Sequence, residues 1–387
     1  MTLTTPVATP AFVIDQRTLD ADLAAVREIA DQASCRLLYS PKACALSDVL
    51  GCVSRNVDGF ACSSPYELEL VERACGEAAS LHLISPLIKA ETLEVFGDRL
   101  ASVIFNSLSQ WRRLGEKASR GTRQGLRVNP QLSIVRDRRY DPCRRNSKLG
   151  VPVHDLAALA RSDPGRLAGI DGLHFHTNCD ETDFTGLLAT ARHIEDVIPH
   201  LLERMDWINL GGGYLFTEAH DLAGFFETVA IFRQRFGLDV FIEPGAALVR
   251  RSGTIEATVH DILAGDDLQI AVLDTTVNHM PEVFEFQFEP DILGHVAGGL
   301  HGYILAGCTC LAGDVFGEYA FDMPLEVGSR VTFLNVGAYT MSKAHRFNGV
   351  GLPSIYLRRR DGSLKLVAED SFEEFAQLSG VAARAVA

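Results

Sequence analysis

The 387-residue chain is long for one hydrophobic core, so two domains, or one large barrel with an addition, are the natural expectation. Its 36 Lys+Arg against 50 Asp+Glu give a formal net charge of −14 without any basic block, which excludes an electrostatic hold on nucleic acid or anionic membrane and suits a cationic small molecule. Nine cysteines without CxxC spacing suggest neither a disulfide framework nor a zinc site. The start, MTLTTPVATPAFVID, lacks a charged segment followed by an apolar one, and no run of about 18 apolar residues occurs, so a cytoplasmic location is expected.

In chain order, AFVID (11–15) reads as a strand that joins a sheet formed later in the chain. Eight short apolar segments follow: CRLLYS (35–40), GFACSS (59–64), SLHLIS (80–85), SVIFNS (102–107), GLRVNP (125–130), IDGLHFHT (170–177), DWINLGG (206–212) and DVFIEPG (239–245). Stretches of helical periodicity separate most of them, such as SPYELELVERA and FTGLLATARHIEDVIPHLLERM. Eight strands alternating with helices over about 220 residues spell an α/β fold of the (β/α)8 TIM-barrel type, with an open doubly wound sheet as the alternative. From residue 247 the texture changes to strand-like pieces, GTIEATVHDIL, LQIAVLDTT, GGLHGYILAG, SRVTFLNVG and SIYLRRRDGSLKLV, punctuated by turn residues. The expected division is a barrel over 20–246 and a mostly-β domain made of 1–19 and 247–387.

Polar residues at the C-terminal ends of barrel strands are the default catalytic set, because the loops there converge. Lys42 stands just past the first strand, after Pro41; alone, it is either a solvated turn residue or a buried amine with chemistry to do. Arg127 lies in the fifth strand, His176 ends the sixth, Gly211, Gly212 and Gly213 follow the seventh, and Glu243 ends the eighth. Singly these read as a barrel salt bridge, a core histidine, a loose turn and a strand cap. Sharing one end, they describe one chemistry. A shielded lysine has a lowered pKa and forms an imine with an aldehyde. A glycine turn offers N–H groups to a phosphate. A histidine stacks on a planar ring, and a carboxylate keeps a pyridine nitrogen protonated so that the ring accepts electrons. Aldehyde, phosphate and pyridine together are pyridoxal 5′-phosphate.

The stretches YSPKA, LRVNP, SKLG, HFHTN, INLGGGY, EPG, GCTCLAGD and GAYT followed by FNG resemble, from about Thr9 to Gly349, the fold type III (alanine-racemase-like) pyridoxal phosphate decarboxylases. The resemblance implies that Lys42 carries the cofactor, that His176 stacks on its ring, that Glu243 pairs with the ring nitrogen, and that Arg127, Gly211 to Gly213 and Tyr339 complete its binding. It also implies Cys310 as the acid that reprotonates the substrate carbon, with Asp314 on the same loop as a substrate-binding residue, in a homodimer where that loop serves the partner's barrel. Racemases of this fold set an arginine at the ring nitrogen, so Glu243 favours loss of CO2.

Within that family, YDPC, SKLGVP, GLHFHTNC, LDTTVNHMPEV, CTCLAGDV and NVGAYTMSKAHRFNG resemble the polyamine branch, which acts on carboxynorspermidine or carboxyspermidine. Such a substrate carries side-chain ammonium groups that need acidic partners, and Glu282 matches an acidic substrate ligand of the branch. There is one departure. Where the branch reads EPGE this chain reads EPGA, leaving Ala246, so either the amine is shorter or less charged or Asp180 substitutes for the missing carboxylate. The alternatives are another basic amino acid, such as diaminopimelate, ornithine or lysine; a cofactor-binding homologue without catalysis, against which Cys310 stands; and a metal enzyme, for which His176 with Glu243 is too sparse a ligand set.

Overall fold

The computed structural model describes residues 7–135 and 137–381. Residues 1–6, part of the opening segment read above for targeting and for the β domain, and residues 382–387 lie outside them. The chain divides into two compact units, one spanning Ala21–Leu248 and the other made of the chain up to Asp20 and from Val249 onward.

In the first unit eight parallel strands close on themselves: Arg36–Tyr39, Gly59–Cys62, Leu81–Ile84, Leu100–Phe105, Arg123–Asn129, Gly172–His174, Trp207–Asn209 and Asp239–Ile242. Phe105 pairs with Leu126 across the fourth and fifth strands, and Phe241 with Arg36 where the eighth returns to the first. This is the expected barrel and not the open sheet. The strands are short and mostly buried, Gly59–Cys62 completely, which is why unbroken apolar runs mark them in the sequence. Local signals start the helices between them. Ser64 Oγ accepts the N–H of Glu67 at 3.2 Å, Glu67 Oε2 accepts that of Ser63 at 2.6 Å, and Pro65 opens the helix Pro65–Cys75. Ser107 and Gln110 repeat the device ahead of Leu108–Leu114, Gln110 Oε1 accepting the Asn106 N–H at 2.8 Å.

Side chains fill the barrel interior. Leu38, Ala61, Ile104, Trp207 and Phe241 form one buried cluster. Trp207 fits because neighbouring strands carry glycine: a Cβ on Gly125 would lie 2.3 Å from its ring, and one on Gly172 2.1 Å. Arg123 covers the Trp207 and Phe241 rings at 5.8 and 5.1 Å. With the interior packed, chemistry is left to the strand ends.

The second unit is a sheet in the order Val315–Phe321, His301–Ala306, Gln269–Leu273, Gly253–Leu263, Ala11–Asp15, Ser354–Arg358 and Leu364–Ala368, with Arg330–Phe333 also paired to Gly253–Leu263. Ala11 faces Glu256 in antiparallel register and Ser354 in parallel register, so the N-terminal strand joins this sheet as expected. Val315–Phe321 has no counterpart among the segments read from the sequence, because Gly317 and Glu318 interrupt its apolar run. No helix among the described residues is long and apolar enough to cross a membrane.

Candidate active site

Lys42 follows the first barrel strand between buried Pro41 and Ala43, and its charge biases Glu243, His174 and His176. The lysine side chain itself is exposed, while the turn buries the residues on either side of it.

Glu243, directly after the eighth strand, is 7% exposed. Asn209 Nδ2 donates to its Oε1 at 2.6 Å, and His174 Nε2 lies 3.4 Å from the same oxygen. Burial alone would raise this carboxyl, but the adjacent His174 N–H and the charge of Lys42 outweigh it and bring the pKa to about 2, so the group is ionised at any ordinary pH.

His176 stands two residues past the sixth strand and accepts the Gly212 N–H on Nδ1 at 3.1 Å. Burial, reinforced by the charges of Arg127 and Lys42, pushes its pKa down to about 3, so it presents a neutral ring. Arg127 is half-buried; burial lowers its pKa while the charge of Glu243 works the other way. The glycine of SKLG packs beside it: a Cβ on Gly150 would come within 3.1 Å of Arg127 Cγ and 2.8 Å of Asn129 N. The YDPC stretch lies behind the histidine, with the Cys143 thiol 3.9 Å from the His176 carbonyl oxygen and the Cys143 N–H held by Asp141 Oδ1 at 2.8 Å.

The triglycine turn has both a conformational and a steric reason. Gly211 and Gly213 adopt φ of +71° and +92°. A Cβ on Gly212 would meet the Glu243 carbonyl oxygen at 2.1 Å, and one on Gly213 that of Asn178 at 2.1 Å. Asn209 Oδ1 accepts the Gly211 N–H at 2.9 Å, and the Gly213 N–H has no hydrogen bond among the described residues. Asp180 is exposed, in a left-handed conformation (φ +52°) beyond the sixth strand, and Ala246 is buried at the start of the short helix Ala246–Val249.

In the second unit Cys310 is exposed, and Asn348 Oδ1 accepts from its N–H at 3.1 Å and its thiol at 3.2 Å. Asp314 departs from the substrate contact expected of it. It is 3% exposed; Oδ1 accepts the Val277 N–H at 2.8 Å, and Oδ2 accepts the Thr309 N–H at 3.0 Å and hydroxyl at 2.5 Å. A carboxylate engaged in this way shapes its own loop. Glu282 shows the opposite pattern, being 9% exposed with a hydrogen-bond partner on neither oxygen. Burial raises its pKa, opposed by its own backbone N–H, by the charge of Lys343 and by the nearby Thr340 hydroxyl. Tyr339 is half-buried at the centre of a tight turn with φ +66° and ψ −36°, closed by the Thr340 N–H donating to the Ala338 carbonyl at 2.8 Å. That conformation is costly for a non-glycine residue.

Sequence reasoning passed over His174 and Asn209. The available signal was spacing: His174 ends the sixth strand two residues before His176, and Asn209 precedes Gly211 by the same interval.

The residues present fit pyridoxal 5′-phosphate: an ionised carboxylate for the ring nitrogen, a neutral imidazole for the ring face, a turn with a spare N–H for the phosphate and a primary amine for the aldehyde. Barrel and donor set together define the class, a barrel enzyme that works through pyridoxal 5′-phosphate. Within it the chain belongs to the pyridoxal-dependent decarboxylases, whose pyridoxal binding domain it matches over residues 18–250. It is 32% identical to carboxynorspermidine/carboxyspermidine decarboxylase of Herminiimonas arsenicoxydans, over 95% of this chain and 98% of that one. It is 33% identical to carboxyaminopropylagmatine decarboxylase of Synechocystis sp., over 95% and 94%. The crystal structure of carboxynorspermidine decarboxylase from Campylobacter jejuni complexed with norspermidine superposes with a TM-score of 0.87 at 28% identity, covering 96% of this chain and 100% of that one.

Proposed function

We propose that this decarboxylase acts on carboxynorspermidine or carboxyspermidine, releasing CO2 and norspermidine or spermidine, as a cytoplasmic homodimer. Glu282 carries the substrate assignment. A carboxylate that is 9% exposed with neither oxygen hydrogen-bonded is costly until a cation completes it, and a side-chain ammonium of the substrate is such a cation. The relatives that act on carboxylated polyamines support the same reading.

Bound pyridoxal 5′-phosphate supplies an aldehyde for the substrate's α-amino group and a ring that accepts the electron pair left when CO2 departs. Lys42 would hold the aldehyde carbon, the Gly211 to Gly213 turn with Tyr339 the phosphate, and His176 the ring face, while Arg127 adds a cation beside Glu243. Glu243, ionised above a pH of about 2, would hold a proton on the ring nitrogen. Cys310 Sγ returns a proton to the α-carbon, and Asn348 orients that thiol. Asp314 keeps the Cys310 loop in shape through Thr309 and Val277. In the homodimer the Cys310 loop of one chain serves the barrel of the other, closing it to water.

A second substrate has its own support. Ala246 puts a methyl group where a further acidic ligand was expected, and a guanidinium needs only one carboxylate to be paired by two hydrogen bonds. Carboxyaminopropylagmatine, the substrate named for the Synechocystis relative, ends in such a group. Asp180 remains the candidate second carboxylate if the substrate is a triamine. CO2 release from carboxynorspermidine, carboxyspermidine, carboxyaminopropylagmatine, diaminopimelate, ornithine and lysine decides the matter. The proposal expects the highest kcat/KM on a carboxylated triamine; preference for the guanidino compound selects the second substrate, and preference for any of the last three removes both.

A further inference from the structure

His174 is 1% exposed, and neither of its ring nitrogens has an aligned hydrogen bond. A buried imidazole left in that state costs stability, so its position calls for a cause. Its Nε2 lies 3.4 Å from Glu243 Oε1, the oxygen that already accepts from Asn209 Nδ2 at 2.6 Å. The side-chain contacts of Glu243 among the described residues fall on Oε1 and none on Oε2. Asn209 also accepts the Gly211 N–H, so one amide ties the carboxylate to the glycine turn. Both neighbours therefore act on one oxygen and leave the other available.

We infer that His174, neutral and with its proton on Nε2, acts with Asn209 as a positioning residue: together they commit Oε1 of Glu243 to the barrel and reserve Oε2 for the proton on the cofactor's ring nitrogen. This rests on the reading of Glu243 as the ring-nitrogen partner. Neutrality matters to the arrangement. Burial disfavours a charge on His174, as do Arg127 and Lys42, while Glu243 pulls the other way. An imidazolium would share the negative charge of Glu243 and weaken its hold on the ring proton; a neutral N–H orients the carboxylate without cancelling its charge.

The test loads wild type, His174→Gln, His174→Leu and Asn209→Ala with pyridoxal phosphate labelled with 15N in the ring, and follows the nitrogen shift with pH, with circular dichroism as the check on folding. Wild type should hold the ring nitrogen protonated. His174→Leu and Asn209→Ala should each lower its apparent pKa by about one unit, a tenfold change, and His174→Gln, which keeps an N–H donor, should recover most of it. If His174→Leu folds and titrates like wild type, His174 has no positioning role. If it does not fold, an unchanged titration in Asn209→Ala overturns the proposal. An unprotonated ring nitrogen in wild type overturns the role of Glu243 itself, and the inference with it.

Discussion

Replacing Glu282 with glutamine should move stability and substrate affinity in opposite directions. The carboxylate is 9% exposed with no hydrogen-bond partner on either oxygen among the described residues, and Lys343, whose charge acts on it, already donates to Glu285 at 2.6 Å. Burial holds the Glu282 carboxyl above its ordinary value of 4.5. Because the folded-state pKa is raised, folding favours the protonated form: the contribution to stability is full below the unfolded pKa and is lost as pH rises through the folded one. Glutamine has the same shape without the charge, so Glu282→Gln should raise the stability of the cofactor-free protein at pH 7.5 by on the order of 1 kcal/mol, the low end of the cost of a buried unpaired polar group. The amine then loses its charged partner. A charge-assisted hydrogen bond of about 1.5 to 3 kcal/mol corresponds to a KM higher by roughly 10- to 150-fold, with cofactor affinity unchanged. Urea unfolding and steady-state CO2 release measure the two halves. A variant that is less stable than wild type and keeps its KM would show that Glu282 is an ordinary structural residue and refute the reasoning.

Two further outcomes are expected. His82, inside the barrel between Ser80 Oγ at 3.1 Å and Ser102 Oγ at 2.8 Å, has its pKa lowered to about 4 by burial and the charge of Arg123. A lowered histidine contributes stability that is full above its unfolded pKa of about 6.5 and is lost as pH falls toward the folded value, on the order of 3 kcal/mol in all; urea midpoints between pH 7.5 and 4 should fall for wild type and less for His82→Asn, and equal slopes would contradict this. Mixing inactive Lys42→Ala with inactive Cys310→Ala should restore up to about a quarter of wild-type activity, since half the randomly exchanged dimers are mixed and each carries one intact site; no recovery with proven subunit exchange means Cys310 serves its own chain or none.

The barrel was legible because its strands are short, buried on both faces and separated by helical periods, so each of the eight segments read from the sequence corresponds to a barrel strand. That Glu243, His176 and the glycine turn come together at one end of the barrel was legible because the strand ends of this fold converge there. His174 was not. In GLHFHT it looks like one more residue of a buried strand, and only the closed barrel brings it within 3.4 Å of Glu243, far along the chain. Asp314 was misjudged because an acidic residue on a functional loop looks the same in sequence whether it faces a substrate or holds the N–H groups of Thr309 and Val277. The exposure of Lys42 was hidden for a similar reason: an apolar neighbourhood in sequence does not cover a side chain that leaves the turn. Val315–Phe321 went unread because a half-exposed strand with glycine and glutamate at its centre lacks the apolar run that marked the others.

The central claim is that Lys42 holds pyridoxal 5′-phosphate in this barrel, and hydride trapping tests it most directly. Purified enzyme reduced with borohydride and digested with protease should yield one peptide carrying the reduced cofactor's mass, with the modification on Lys42 and none in Lys42→Ala. Reduced cofactor on any other lysine, or on none, would contradict the account.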